Sequence, residues 1–142
     1  METAAQLLSH KGGSIHSVTP DAPVLDAIRL MAEHSVGALL VMEGKRLVGV
    51  VSERDYARKV ILLGYASSET PVRQIMSSPV MTVRPEQSVR ECMQLMSEKR
   101  FRHLPVVDGD AVIGVLSIGD LVRATLAEQQ QTIEELERYI RS

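Results

Sequence analysis

Apolar and polar positions along this chain run through the same pattern twice. Val24, Ala27, Ile28 and Met31 recur at the three-and-four spacing that draws one stripe along an α-helix. Val89, Cys92, Met93 and Met96 repeat that stripe. Each stripe is followed by two short apolar runs, Ala38–Met42 with Leu47–Ser52, and Leu104–Val107 with Val112–Ser117. The turns between them, Glu43-Gly44-Lys45 and Asp108-Gly109-Asp110, predict paired strands. Short extended pieces, Ile15–Val18 and Val80–Val83, lead towards each first helix. Asp21 and Glu86 stand near the helix starts, where a carboxylate is favoured. A second helix opens at Ser52 and again at Ser117.

The two rounds are a duplication. Val18–Arg58 lies on Val83–Arg123 without a gap, at a constant offset of 65 residues. Leu30-Met31 then meets Leu95-Met96, Glu33 meets Glu98, Gly44 meets Gly109, and Asp55 meets Asp120. Apolar periodicity alone would align some of these pairs, but not Gly, Pro, Ser and Asp together. The predicted fold class is α+β, a tandem β-α-β-β-α repeat whose two copies pack as a pseudo-twofold pair, because one copy exposes too much apolar surface to stand alone. The expected organisation is an N-terminal segment (1–13), repeat one (14–63), a linker with a short helical turn at Pro71–Met76 (64–76), repeat two (77–125) and a C-terminal helical extension (126–142).

Composition narrows the function. Apolar residues are 44% of the 142 and aromatic residues 3%, so the core is aliphatic. The net charge is −2 with no basic block, which argues against nucleic acid as a partner. No apolar run reaches the ~18 residues of a membrane span, no signal peptide is evident, and the expected location is the cytoplasm. The one cysteine, Cys92, allows no intrachain disulfide and no cysteine-based zinc site; on an apolar helix face it is expected to be a buried, inert thiol. Met31, Met93 and Met96 read as core fillers.

The run Gly49-Val-Val-Ser-Glu-Arg-Asp55, its partner Gly114-Val-Leu-Ser-Ile-Gly-Asp120 and the run Arg102-His-Leu-Pro-Val-Val-Asp108 resemble the recurrent segments of the cystathionine-β-synthase (CBS) domain pair, over about residues 14–125. One Ser-x-x-Asp would mean little; two in register within a tandem repeat are a specific signal. The resemblance implies a flat two-domain module whose clefts bind adenosine compounds (AMP, ADP, ATP, NAD or S-adenosylmethionine), and which commonly dimerises.

The candidate chemistry centres on Ser52 with Asp55 and on Ser117 with Asp120. Serine at these positions can cap its helix, and capping alone is one reading. In the other, the helix start favours an anion, and an ionised Asp, offering only acceptors, suits the adjacent hydroxyls of a ribose. The resemblance assigns Asp55 and Asp120 to ribose, and Ser52 and Ser117 to ribose or phosphate. It groups Asp55 with Pro79, Val80, Arg102 and His103, and Asp120 with Ile15, His16, Gly37 and Ala38. Arg54 is a phosphate candidate whose counterpart is Gly119, and the resemblance implies further phosphate contacts from Arg102 and His103, so the two sites are expected to differ, the first being the more positive and preferring ligands with more phosphate. The alternatives are a solvent-facing charge for Arg102 and a core-rim histidine for His103. No ligand spacing for a metal is present.

No catalytic relay, P-loop or metal cluster appears, so a sensor reporting to a protein partner on another chain is preferred to an enzyme or a bare dimerisation module. Beyond Asp120, Leu126, Ile133 and Ile140 are seven apart, beside Val122, Gln129 and Leu136. This seam predicts a long helix that either docks on its own domain or, preferably, meets a second copy in a homodimer.

Overall fold

A computed structural model describes residues 2–12 and 15–141. Its helices are α1 (Ala4–Lys11), α2 (Val24–His34), α3 (Glu53–Tyr56), α4 (Val89–Lys99) and α5 (Ile118–Arg141). Its strands are β1 (Ser17–Val18), β2 (Ala38–Glu43), β3 (Arg46–Ser52), β4 (His103–Asp108) and β5 (Ala111–Ser117). A π-helical turn, Ala57–Ile61, continues α3, and a 3-10 turn spans Val72–Gln74. The fold is α+β, in two compact units. One comprises the chain after α1 as far as Val80; the other joins α1 to everything from Met81 onward.

In the first unit β1 runs parallel to β2, and β2 pairs antiparallel with β3, placing Ala38 opposite Ser52. In the second, β4 and β5 pair in the same way and place His103 opposite Ser117. Each ladder is irregular at the same place, between Val41 and Met42 and between Val106 and Val107. The counterpart of β1 is reduced to a single parallel bridge from Val83 to Val106, so the extended piece expected at Val80–Val83 forms no strand of its own.

The two stripes fill two cores. Val24, Ala27 and Met31 pack with Leu39, Val41 and Val51, while Ile28 is only partly buried. Val89, Cys92 and Met96 pack with Leu104, Val106 and Leu116, with Met93 partly buried. Each fully buried Val, Leu or Met contributes about 1.5–3 kcal/mol of apolar transfer. Burial, reinforced by the charge of Glu91, pushes the Cys92 thiol pKa up, which keeps the sulfur protonated and unreactive. Both stripe helices end on a left-handed residue without being glycine, Ser35 at φ 54° and Arg100 at φ 60°.

The segment leading into each repeat is built into the unit of the other. In the first unit, Val24 N–H donates to Thr70 O and Val72 N–H to Ala22 O, both at 2.8 Å. In the second, Val89 N–H donates to Glu2 O (2.9 Å) and Ala4 N–H to Gln87 O (2.8 Å). The 3-10 turn is therefore to the first unit what α1 is to the second. Glycine opens room for both contacts: a Cβ on Gly49 would lie 2.5 Å from Met76 Sδ, and one on Gly114 would lie 2.6 Å from Leu8 Cδ2. No helix is expected in the N-terminal segment, yet Thr3 and Gln6 form a capping box that starts α1.

Helix α5 extends far beyond the second core. From Leu126 on, every described residue is exposed, Leu136, Tyr139 and Ile140 included.

Candidate functional site

Each Ser–Asp pair sits where a strand turns into a helix. β3 delivers Ser52, whose extended backbone (φ −127°, ψ 164°) starts α3. Ser52 Oγ accepts from Asp55 N–H (3.1 Å), and Asp55 Oδ2 accepts from Ser52 N–H (2.9 Å) and Ser52 Oγ–H (3.0 Å). β5 delivers Ser117 in the same way: Ser117 Oγ accepts from Asp120 N–H (3.2 Å) and Asp120 Oδ2 from Ser117 N–H (2.8 Å). The first amide of each helix is taken as well, Glu53 N–H by Gly37 O (3.1 Å) and Ile118 N–H by Arg102 O (2.9 Å). Capping is thus real at both sites. It satisfies amides that an anion would otherwise use, and it directs attention from the helix ends to the carboxylates.

The two carboxylates have different neighbours. Asp55, 14% exposed, has Lys59 Nζ at 3.2 Å from Oδ1; that ammonium also donates to Ile75 O at 3.0 Å. Asp120 is 7% exposed and holds two cations. Lys11 Nζ donates to Oδ2 at 2.8 Å and to Val115 O at 2.7 Å, and Arg123 Nη2 donates to Oδ1 at 2.8 Å. Gly119 makes room for that arginine, since a Cβ there would lie 3.2 Å from Arg123 Nη1. Burial alone would raise the Asp120 pKa. The hydrogen bond from Lys11, the Ser117 amide and the nearby ammonium charge together outweigh it and hold the carboxyl below its usual value. It is an acceptor-only group at neutral pH.

Gly37 and Ala38 lie in the first unit beside Ser52, and Arg102 and His103 lie in the second beside Ser117. Arg54 is exposed on α3. His16 stacks on His34 with ring centroids 3.7 Å apart, a partner that sequence reading did not single out. Ile15 and Pro79 are exposed and Val80 is half-buried. A groove of about 510 Å³ lies elsewhere in the second unit, lined by Val89, Met93, Thr125 and Ile133 among others. Among the described residues, no group of three or more His, Cys, Asp or Glu side chains could hold a metal ion, and no helix is long and apolar enough to cross a membrane.

Sequence reading missed three of the groups that define these sites. Lys59 and Arg123 stand four and three residues after their aspartates, a spacing readable along a helix. Lys11 is 109 residues from Asp120, and nothing local marks it.

A tandem α+β repeat with a capped Ser–Asp pair at the same place in both copies defines a class, and comparison with known proteins gives its family. The CBS domain matches residues 4–62 and again 72–127, so the chain belongs to the CBS-domain family. Each match begins close to one of the leading segments described above. The chain is 41% identical to the mitochondrial CBS domain-containing protein CBSX3 of Arabidopsis thaliana, across 97% of its own length and 71% of that protein. Its fold matches that of a CBS-domain protein from Burkholderia ambifaria MC40-6, described as a signal-transduction protein, with a TM-score of 0.85 and 51% identity, over 90% of this chain and 96% of the other. It also matches the CBS domain protein PAE2072 from Pyrobaculum aerophilum, solved in complex with AMP, with a TM-score of 0.79 and 29% identity, over 92% and 99% of the two chains.

Proposed function

We propose that this chain is a regulatory module that binds adenine nucleotides (AMP, ADP, ATP or NAD) through Asp55 and Asp120 and reports their presence to a protein partner in the cytoplasm, without turning them over. The observation that carries this reading is the duplicated carboxylate. Both copies hold an Asp, largely shielded from water, at the head of the second helix, and a carboxylate offers a vicinal diol one acceptor on each oxygen. The AMP complex of PAE2072 supports the choice of ligand. In this reading Arg54, Pro79, Val80, Arg102 and His103 serve the same ligand as Asp55, while Ile15, His16, Gly37 and Ala38 serve that of Asp120.

The competing reading is a dimerisation module whose serines and aspartates do nothing but cap, and the complete capping pattern favours it. Calorimetric titration with AMP, ATP, NAD and S-adenosylmethionine, with product analysis of each mixture, separates the possibilities. Binding of an adenine nucleotide without product supports the sensor. Product formation would make the chain an enzyme, and silence with all four would leave the dimerisation module.

A further inference from the structure

We infer that Lys11 of the N-terminal helix occupies the position on Asp120 that a ribose hydroxyl needs, so that the two nucleotide sites are unequal and filling the second one releases Lys11. The inference rests on the proposed role of the two carboxylates.

Acceptor positions on the two carboxylates set the sites apart. A carboxylate oxygen accepts two hydrogen bonds, and a vicinal diol held in bidentate fashion needs one position on each oxygen. At Asp55, Oδ1 has one donor among the described residues, Lys59, which leaves it one position. Oδ2 is filled by Ser52 N–H and Ser52 Oγ–H, but a hydroxyl turns about its C–O bond and frees its place at little cost. The first site therefore accepts a diol without losing a charged partner. At Asp120, Oδ1 likewise has one donor among the described residues, Arg123, which leaves it one position. Oδ2 is filled by Ser117 N–H, which is fixed by the strand-to-helix turn, and by Lys11 Nζ. Of these two only Lys11 can leave.

Lys11 is not a stray surface lysine. It is the last residue of α1, with the chain turning at Gly12 (φ 64°) immediately beyond it. Ala4 and Leu7 anchor that helix in the second core, and Leu8 lies against Gly114. Backbone hydrogen bonds from Ala4, Ala5 and Val89 fasten its start. Nζ then spans two acceptors, Val115 O and Asp120 Oδ2. Displacement of the ammonium couples ligand at Asp120 to the end of α1, whereas Lys59, the cation beside Asp55 among the described residues, is carried on the same helical stretch as the aspartate. The first site fills at low nucleotide concentration, and the second answers to a higher one through the N-terminal helix.

The test uses the full chain with Asp55→Ala to silence the first site, titrated calorimetrically with AMP. Adding Lys11→Met should tighten binding roughly tenfold, the scale of one hydrogen bond to a charged group. Unchanged or weaker binding overturns the inference, weaker binding marking Lys11 as a ligand contact. Equal binding by Asp55→Ala and Asp55→Ala/Asp120→Ala would sink the carboxylate reading and the inference together. Loss of binding on Asp120→Ala with no gain on Lys11→Met would sink the inference alone. A readout on the unaltered chain guards against a variant that loosens α1. Acetylation of Lys11 by an amine-reactive reagent, followed peptide by peptide, should rise several-fold when AMP saturates; constant or reduced labelling contradicts the release of Lys11.

Discussion

Truncating Asp120 removes more than a ligand contact, and the two repeats provide an internal control for how much more. In Asp120→Ala the Ser117 amide loses its carboxylate acceptor, a loss of about 1 kcal/mol on the scale of helix capping. Lys11 and Arg123 lose their ion pairs as well. Arg123 is mostly exposed and water replaces its partner, so its share is at most a few tenths of a kcal/mol. Lys11 is 36% exposed and keeps Val115 O, so its pair is worth about 1 kcal/mol after screening. The sum is roughly 2–2.5 kcal/mol. Asp55→Ala forfeits a comparable cap but only the exposed Lys59 pair, roughly 1–1.5 kcal/mol.

Urea unfolding followed by circular dichroism at pH 7 should therefore show Asp120→Ala to be the less stable variant by about 1 kcal/mol. The pH dependence has a definite sign. The folded-state pKa of Asp120 lies below its unfolded value, so the stabilisation is complete above the unfolded pKa of about 3.9 and is lost as pH falls through the folded one. The gap between the unaltered chain and Asp120→Ala should be constant from about pH 5 to pH 7 and shrink below about pH 4. Equal losses for the two variants, or a gap that persists undiminished in acid, would refute the assigned roles of Lys11 and the carboxylate.

Three further outcomes follow from the packing. A Cβ on Gly49 meets Met76 and the backbone oxygen of Ser77, whereas one on Gly114 meets only the side chain of Leu8. Gly49→Ala should therefore cost about 1–3 kcal/mol in urea unfolding and Gly114→Ala less, because a side chain yields where backbone does not. Arg100→Gly should stabilise by a few tenths to about 1 kcal/mol, read as a higher thermal midpoint, since a left-handed non-glycine residue costs about 1–2 kcal/mol and the extra freedom of the unfolded glycine returns part of it. Ending the chain at Ala124 removes the exposed seam of Leu126, Ile133, Leu136 and Ile140. That heptad seam, flanked by Glu134, Glu135 and Glu137 together with Arg138 and Arg141, fits a second copy of the same helix. Sedimentation should show fewer copies per particle for the truncated chain than for the full one; an unchanged dimer would remove the tail from the proposed interface.

The fold was legible where a pattern repeats. The apolar stripes at Val24–Met31 and Val89–Met96, the strand pairs and the helix starts at Ser52 and Ser117 all follow from periodicity and from a 65-residue offset that aligns Gly and Asp as well as apolar positions. Two features escaped for physical reasons. α1 is short and has a weak apolar face, so only its Thr3–Gln6 capping box could have announced it. The exchange of leading segments between units is a tertiary fact, which a local pattern does not encode. The candidate site was legible in its Ser–Asp pairs but not in its electrostatics. Along the chain, Arg54, Arg102 and His103 speak for a more positive first site; the cations on Asp120 itself, Arg123 beside Gly119 and Lys11 from 109 residues away, are set by the fold.

The most direct test of nucleotide recognition by the paired carboxylates is calorimetric titration of AMP into four forms of the full chain: unaltered, Asp55→Ala, Asp120→Ala and the double variant. Each single change should weaken one site by roughly 1–3 kcal/mol, and the double variant should lose measurable binding. AMP binding of undiminished affinity and stoichiometry in the double variant would contradict it.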